Sequence, residues 1–188
     1  MKAMPILRAT FLRIIFLLII LCNTSCKKNN LIESNFKNEA FNTNDQEQME
    51  AYFFIATANL SKAIISKSQI AEQKTSKSII KQLSRKIENH QNNLLRDIAK
   101  IANKRLVIVT EINNSSKLEL YKLTDTNAAS FDKVYLDSLL ESLNGQIEAL
   151  ESVSKETNDE VILKLVLHYL PEMYQLLRET EQIKQKIN

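Results

Sequence analysis

Ser76–Asn103 reads SKSIIKQLSRKIENHQNNLLRDIAKIAN, and its spacing decides the fold. Ile80, Leu83, Ile87, His90, Leu94, Ile98 and Ile101 recur at intervals of three and four. That rhythm puts them on one side of an α-helix; a half-buried strand would alternate at every second residue. Polar and charged residues fill the remaining positions, so the helix has one face to bury.

The same rhythm returns three times. A first helix over about Gln46–Lys74, with Asp45 as its N-cap, carries Met49, Phe53, Ala56, Leu60, Ile64 and Ala71. A third, capped by Asp125 or Thr126 and ending near Val153, carries Leu136, Leu140, Leu143, Ile147 and Leu150. A fourth over about Glu156–Ile187 carries Ile162, Leu165, Tyr169, Met173, Leu176, Ile183 and Ile187. Helices of about 24–32 residues are about 36–48 Å long. Matched lengths and single stripes predict an all-α, antiparallel four-helix bundle. From Asp45 onward the only glycine is Gly145 and the only proline Pro171, which excludes a sheet protein rich in tight turns. Pro171 falls inside the last helix and is expected to kink it after Leu167, whose carbonyl loses its donor.

The link between the second and third long helices is the long one. It holds the apolar run Leu106-Val107-Ile108-Val109, the polar run Asn113–Ser116, and room for a short helix over Lys117–Leu123. A link of about twenty residues can run the length of a bundle, as a ferritin-like topology requires; plain up-down-up-down connectivity is the alternative.

Ahead of the bundle, residues 1–25 have the three parts of a bacterial export signal. Lys2, Arg8 and Arg13 are basic, Ile14 to Leu21 is unbroken apolar sequence, and small Thr24 and Ser25 precede Cys26. The apolar run is short of the roughly 20 residues a spanning helix needs. The site resembles a lipobox, with Asn23 where leucine usually stands; at Cys22 the preceding residue is bulky Leu21. That resemblance implies lipidation of Cys26 and attachment to a membrane through the lipid. Plain secretion and a retained membrane anchor are the alternatives. Lys27 stands where an aspartate would mark inner-membrane retention, so the expectation is an outer-membrane lipoprotein with its domain in the periplasm or at the cell surface. Residues 26–44, the lipidated cysteine and a polar, asparagine-rich stretch, read as a tether to a domain over 45–188.

Cysteine count and charge follow from this division. Cys22 and Cys26 are the only cysteines; one leaves with the signal and the other is lipidated. The net charge of +3 comes from 25 basic and 22 acidic residues, and loss of Lys2, Arg8 and Arg13 leaves 22 against 22. A neutral mature chain gives no electrostatic case for nucleic acid.

Ser130-Phe131-Asp132-Lys133-Val134-Tyr135-Leu136 resembles the Phe-Asp-x-x-Tyr signature of an uncharacterised ferritin-like family, domain of unknown function 4142. Tyr169-Leu170-Pro171 is similar to its Leu-Pro step, and Asn89-His90 to its Asp-His pair. The resemblance implies a ferritin-like bundle and no particular activity. It also implies a glutamate in the first helix and histidines in the other three. Those positions fall here on Ile64, His90, Leu143 and Leu176, so only His90 is retained.

The residues themselves carry little chemistry. A di-iron bundle needs Glu-x-x-His pairs, but Ile87 and Leu165 stand three residues before His90 and His168. No catalytic set, metal-ligand set or cofactor loop is expected. His90 lies about 40° from the centre of its stripe, which predicts a core histidine bonded to Asn89, Asn93 or a tyrosine, with a residual site as the functional alternative. His168, about 100° off its stripe, is expected to flank the core or face solvent. Asp97 and Glu172 read as solvated or paired, and Tyr52, Tyr135 and Tyr169 as core rings with hydroxyls at the rim. The expected role is a lipid-anchored envelope module, interacting or structural, with an unidentified protein partner; the alternative is a divergent metal-binding or stress-related bundle.

Overall fold

All four stretches with three-and-four spacing form helices, and the polar link contributes a fifth. The computed structural model describes residues 45–109 and 111–187. Within them, α1 spans Asp45–Lys74, α2 Ser78–Lys104, α3 Asn114–Asp125, α4 Ala128–Glu156 and α5 Glu160–Ile187. The signal over 1–25, Cys26 and the tether lie outside the described residues.

Side-chain oxygens set the starts of α3, α4 and α5, while Lys77 before α2 makes no such cap. Asn113 Oδ1 accepts from the Ser116 N–H at 2.9 Å and Asn127 Oδ1 from the Ser130 N–H at 3.0 Å. Asp159 Oδ1 takes the N–H groups of Val161 and Ile162 at 2.8 and 3.1 Å. Each satisfies donors that a first helical turn leaves open. Asn127, and not Asp125 or Thr126, therefore caps α4, because those two residues close α3. α5 continues as one helix across Pro171. Leu167, opposite the missing proline donor, is 75 % exposed, so water can reach the freed carbonyl.

The hydrogen bonds fix the helix directions. α1 and α2 run oppositely, since Gln69 meets Glu88 and Glu72 meets Arg85. α1 and α4 also run oppositely: Glu50 meets Thr157, Ser61 meets Gln146, and Thr75 meets Asp132. So do α2 and α5, through Lys86–Glu179 and Asp97–Tyr169. α2 and α4 run the same way, from Ser84–Tyr135 to Gln91–Gln146. The end of α2 and the start of α4 therefore lie at opposite ends. The chain between them returns alongside α1, and α3 is part of that return.

This is why the described residues form five helices where four were expected. α3 is held by Lys67, a lysine only 1 % exposed. Its ammonium donates to Glu119 Oε2 of α3 at 2.7 Å and to Ser142 Oγ of α4 at 2.8 Å. A lysine that deep is tolerated only when its donors are matched. Because α1 touches α2, α3 and α4, it is buried on more than one face. Small Ala58, Ser61, Ala63 and Ser68 fill these contacts, while Leu60 of the expected stripe is only half-buried. In α4, Leu139 is fully buried and Leu140 half-buried.

α2 ends in a Schellman turn. The Val107 N–H donates to the Ala102 carbonyl at 2.9 Å and the Leu106 N–H to that of Asn103 at 3.2 Å. Leu106 sits at φ 59°, the left-handed position where glycine is the usual residue. It is 92 % exposed, so burial does not offset the steric cost. Leu106→Gly is expected to stabilise the protein by about 0.5–1 kcal/mol in denaturant unfolding. A lower stability would show that the leucine side chain is needed for folding.

Candidate functional site

His90 enters the core from α2 beside α5. Its side chain is 2 % exposed. Of the expected partners, Asn89 and Asn93 are exposed and the tyrosine is Tyr169 of α5, packed against the ring. The contact on Nδ1 is Gln91 Nε2 at 3.5 Å, and buried Nε2 has no hydrogen-bond partner. Glu172 Oε2 stands 3.8 Å from Nε2, beyond hydrogen-bond reach. The Tyr169 ring meets the imidazole edge-on at 5.5 Å, and meets the His168 ring likewise at 4.6 Å.

These residues border a cleft of about 380 Å³ between α2 and α5. Lys86, Arg96, Asp97, His168 and Glu172 line it with both signs of charge. Tyr169 Oη donates to Asp97 Oδ2 at 2.5 Å, so Asp97 is paired as expected. Burial and the Asp97 carboxylate push the Tyr169 phenol above its usual range. Burial also pushes the His90 imidazole below its ordinary value; Glu172 works against that and His168 with it. His168 is exposed, as its angle on the helix predicted, and it reaches the same cleft as His90.

Next to His90 lies a polar layer that stripe counting missed. Gln91 Nε2 donates to Gln146 Oε1 at 2.7 Å and approaches Met173 Sδ at 3.3 Å. Gln146 Nε2 donates to Ser61 Oγ at 2.8 Å. Both glutamines and Ser61 are fully buried, and α1, α2, α4 and α5 each contribute to the layer. Ile64, Leu143 and Leu176 are fully buried apolar residues in the same core. The layer contains uncharged amides and hydroxyls, which bind one another well and bind cations weakly. Among the described residues no group of three or more His, Cys, Asp or Glu could hold a metal ion.

The Phe-Asp-x-x-Tyr stretch does structural work. Phe131 and Tyr135 are stacked at 6.1 Å, and both are buried. The Tyr135 hydroxyl is not at the rim; it meets buried Ser84 Oγ at 2.9 Å, and burial pushes its pKa up to about 12. Asp132 accepts from Thr75 Oγ1 at 2.6 Å and faces Lys77 Nζ at 3.3 Å, pinning the α1–α2 turn to the start of α4.

The family model for the domain of unknown function DUF4142 matches residues 37–183. The chain belongs to that family. No curated protein and no solved structure matches it. Within the DUF4142 domain, His90 is the one retained member of the polar set implied by the sequence resemblance, and it stands in the α2–α5 cleft.

The linkage for His90 has a definite sign. Its folded pKa lies below the value of about 6.5 expected when unfolded, so the unfolded chain takes the proton first. The contribution of neutral His90 is present above about pH 6.5 and is lost as pH falls through the folded pKa. His90→Leu should fold normally at pH 7 and lose less stability than wild type between pH 7 and 5. Parallel stability curves for the two proteins would contradict this reading.

Proposed function

We propose that this DUF4142 protein is a lipid-anchored, non-catalytic module of the cell envelope, its bundle held off the membrane by a tether from Cys26. The carrying observation is the core: Ile64, Leu143 and Leu176 are apolar and buried where the family resemblance implies charged or ligating side chains. What surrounds them is satisfied largely by amide and hydroxyl bonds internal to the fold. The direction of the helices and the return of α3 along α1 support a ferritin-like arrangement of the four long helices. Such a body offers long polar faces to a protein partner, and no feature favours nucleic acid.

The anchor reading rests on the sequence around Cys26. None of the described helices is long and apolar enough to cross a membrane. A second reading, a divergent metal-binding bundle, is favoured by one observation: the unpartnered His90 Nε2 facing Glu172. Two groups of this kind do not make a tight site.

Replacing Cys26 with serine should release the protein from the membrane fraction of its own cells and remove the lipid mass from the mature chain. Retention in the membrane fraction after Cys26→Ser would overturn the anchor reading.

A further inference from the structure

The segment after α2 places large apolar side chains where they gain nothing from the fold. Val107 and Val109 turn inward and pack on the core, while Leu106 and Ile108, alternating with them, are 92 % and 79 % exposed. They are the two most exposed large apolar residues among those described. Leu106 holds a left-handed position that glycine would occupy with less strain, so its side chain is retained at a steric cost. Leu106 and Ile108, with Leu95, Ala99, Val107 and Val109, line a mostly apolar groove of about 700 Å³ that Lys62 and Asn103 also line.

The location gives this patch its occupant. Arg105, the residue before Leu106, donates to Glu50 of α1 at 2.6 Å and to Asp159 before α5 at 2.5 Å. The patch therefore sits near the end of the helices where α1 begins, and the chain leading back to Cys26 leaves from that end. Eighteen residues separate Cys26 from Asp45, a length whose coil would span about 25 Å root-mean-square, so a lipid on Cys26 would hold its surface near this end. That proximity turns a weak contact into an intramolecular one with a high effective concentration. Lys100 and Lys104 are exposed on the neighbouring turns of α2, on the side that faces α5. The acids of this end are partly neutralised in place: Glu50 and Asp159 by Arg105, Glu160 by Lys164 at 3.2 Å. Asp45, Glu47, Glu111 and Glu156 remain exposed, so the docking force is apolar insertion rather than net charge.

We propose that Leu106 and Ile108 insert into the headgroup region of the membrane and seat this end of the bundle against the surface that holds the Cys26 lipid. The proposal rests on the lipid-anchor reading. Its occupant is a bilayer surface, with the apolar groove available to an acyl chain or headgroup edge.

The chain has no tryptophan, so single probes report cleanly. Lipidated full-length protein carrying Ile108→Trp is reconstituted into phosphatidylethanolamine/phosphatidylglycerol vesicles containing shallow-brominated lipid. Val134→Trp, near the start of α4 and far from the patch, is the control. The Ile108→Trp probe should shift to the blue on reconstitution and be quenched about twofold or more beyond the control. Equal quenching of the two probes would overturn the docking proposal. So would a blue shift that arises without vesicles and grows with protein concentration, because a second copy would then cover the patch. Vesicle flotation with and without Cys26→Ser reads the anchor separately. Flotation lost in Cys26→Ser together with equal quenching removes docking and keeps the anchor. Flotation unchanged by Cys26→Ser removes the anchor, and selective quenching of Ile108→Trp then still supports the surface.

Discussion

The hydrogen bond from Gln91 to Gln146 sets the frame on which the rest depends. It joins two long helices that run in the same direction. Gln146 passes the connection to Ser61 of α1, and Gln91 touches Met173 of α5. Apolar stripes alone allow neighbouring helices to slide by a turn, because one leucine packs much like another. A buried amide layer does not, since each slip strands donors and acceptors away from water. Once α2 and α4 are parallel, the chain between them has to travel the length of the helices. α3 and its Lys67–Glu119 bridge follow from that requirement. The layer is incompletely satisfied: Gln91 Oε1 and His90 Nε2 have no partner, and Thr57 Oγ1 on α1 has none either.

Both ends of the helices are closed by charge. At one end Glu50, Arg105 and Asp159 tie together the start of α1, the end of α2 and the α4–α5 turn. Burial works against the Asp159 charge, but Arg105 and the N–H groups of Ile162 and Val161 outweigh it and hold that carboxyl below its usual range. At the other end Asp132 joins Thr75 and Lys77 at the α1–α2 turn, and the Lys74 ammonium lies 5.2 Å from the Phe131 ring centre. The family signature around Phe131 and Tyr135 is thereby explained as a fold determinant.

Helix existence was legible because apolar periodicity survives any tertiary context, and α2 shows it without a gap. The polar core was legible only as an interruption. The α1 stripe jumps seven residues from Ile64 to Ala71, and buried Lys67 and Ser68 fill the space. The α5 stripe jumps seven from Leu176 to Ile183, and buried Thr180 fills it, its hydroxyl donating to the Leu176 carbonyl at 2.7 Å. A seven-residue gap in a three-and-four rhythm is thus a signal for a buried polar residue. Gln91 and Gln146 gave no such signal, because each adjoins an apolar or stripe residue that already completes the count. Local sequence does not choose among the neighbours of His90: Asn89 and Asn93 on its own helix are exposed, while Tyr169 and Glu172 of α5 face the ring. The His90–His168 meeting at one cleft depends on the register between α2 and α5, which local sequence does not carry.

The chemistry that remains is modest: a desolvated imidazole, a tyrosine bonded to aspartate, and mixed charges in a shallow cleft. The proposed role is anchoring and surface contact, in place of a metal or redox centre. Metal content measures this most directly. Full-length protein, purified without a tag from its own membrane and equilibrated in turn with iron, manganese and zinc, should retain well under one equivalent per chain after gel filtration, and His90→Leu should not change that. One tightly held equivalent, lost in His90→Leu, would contradict the account.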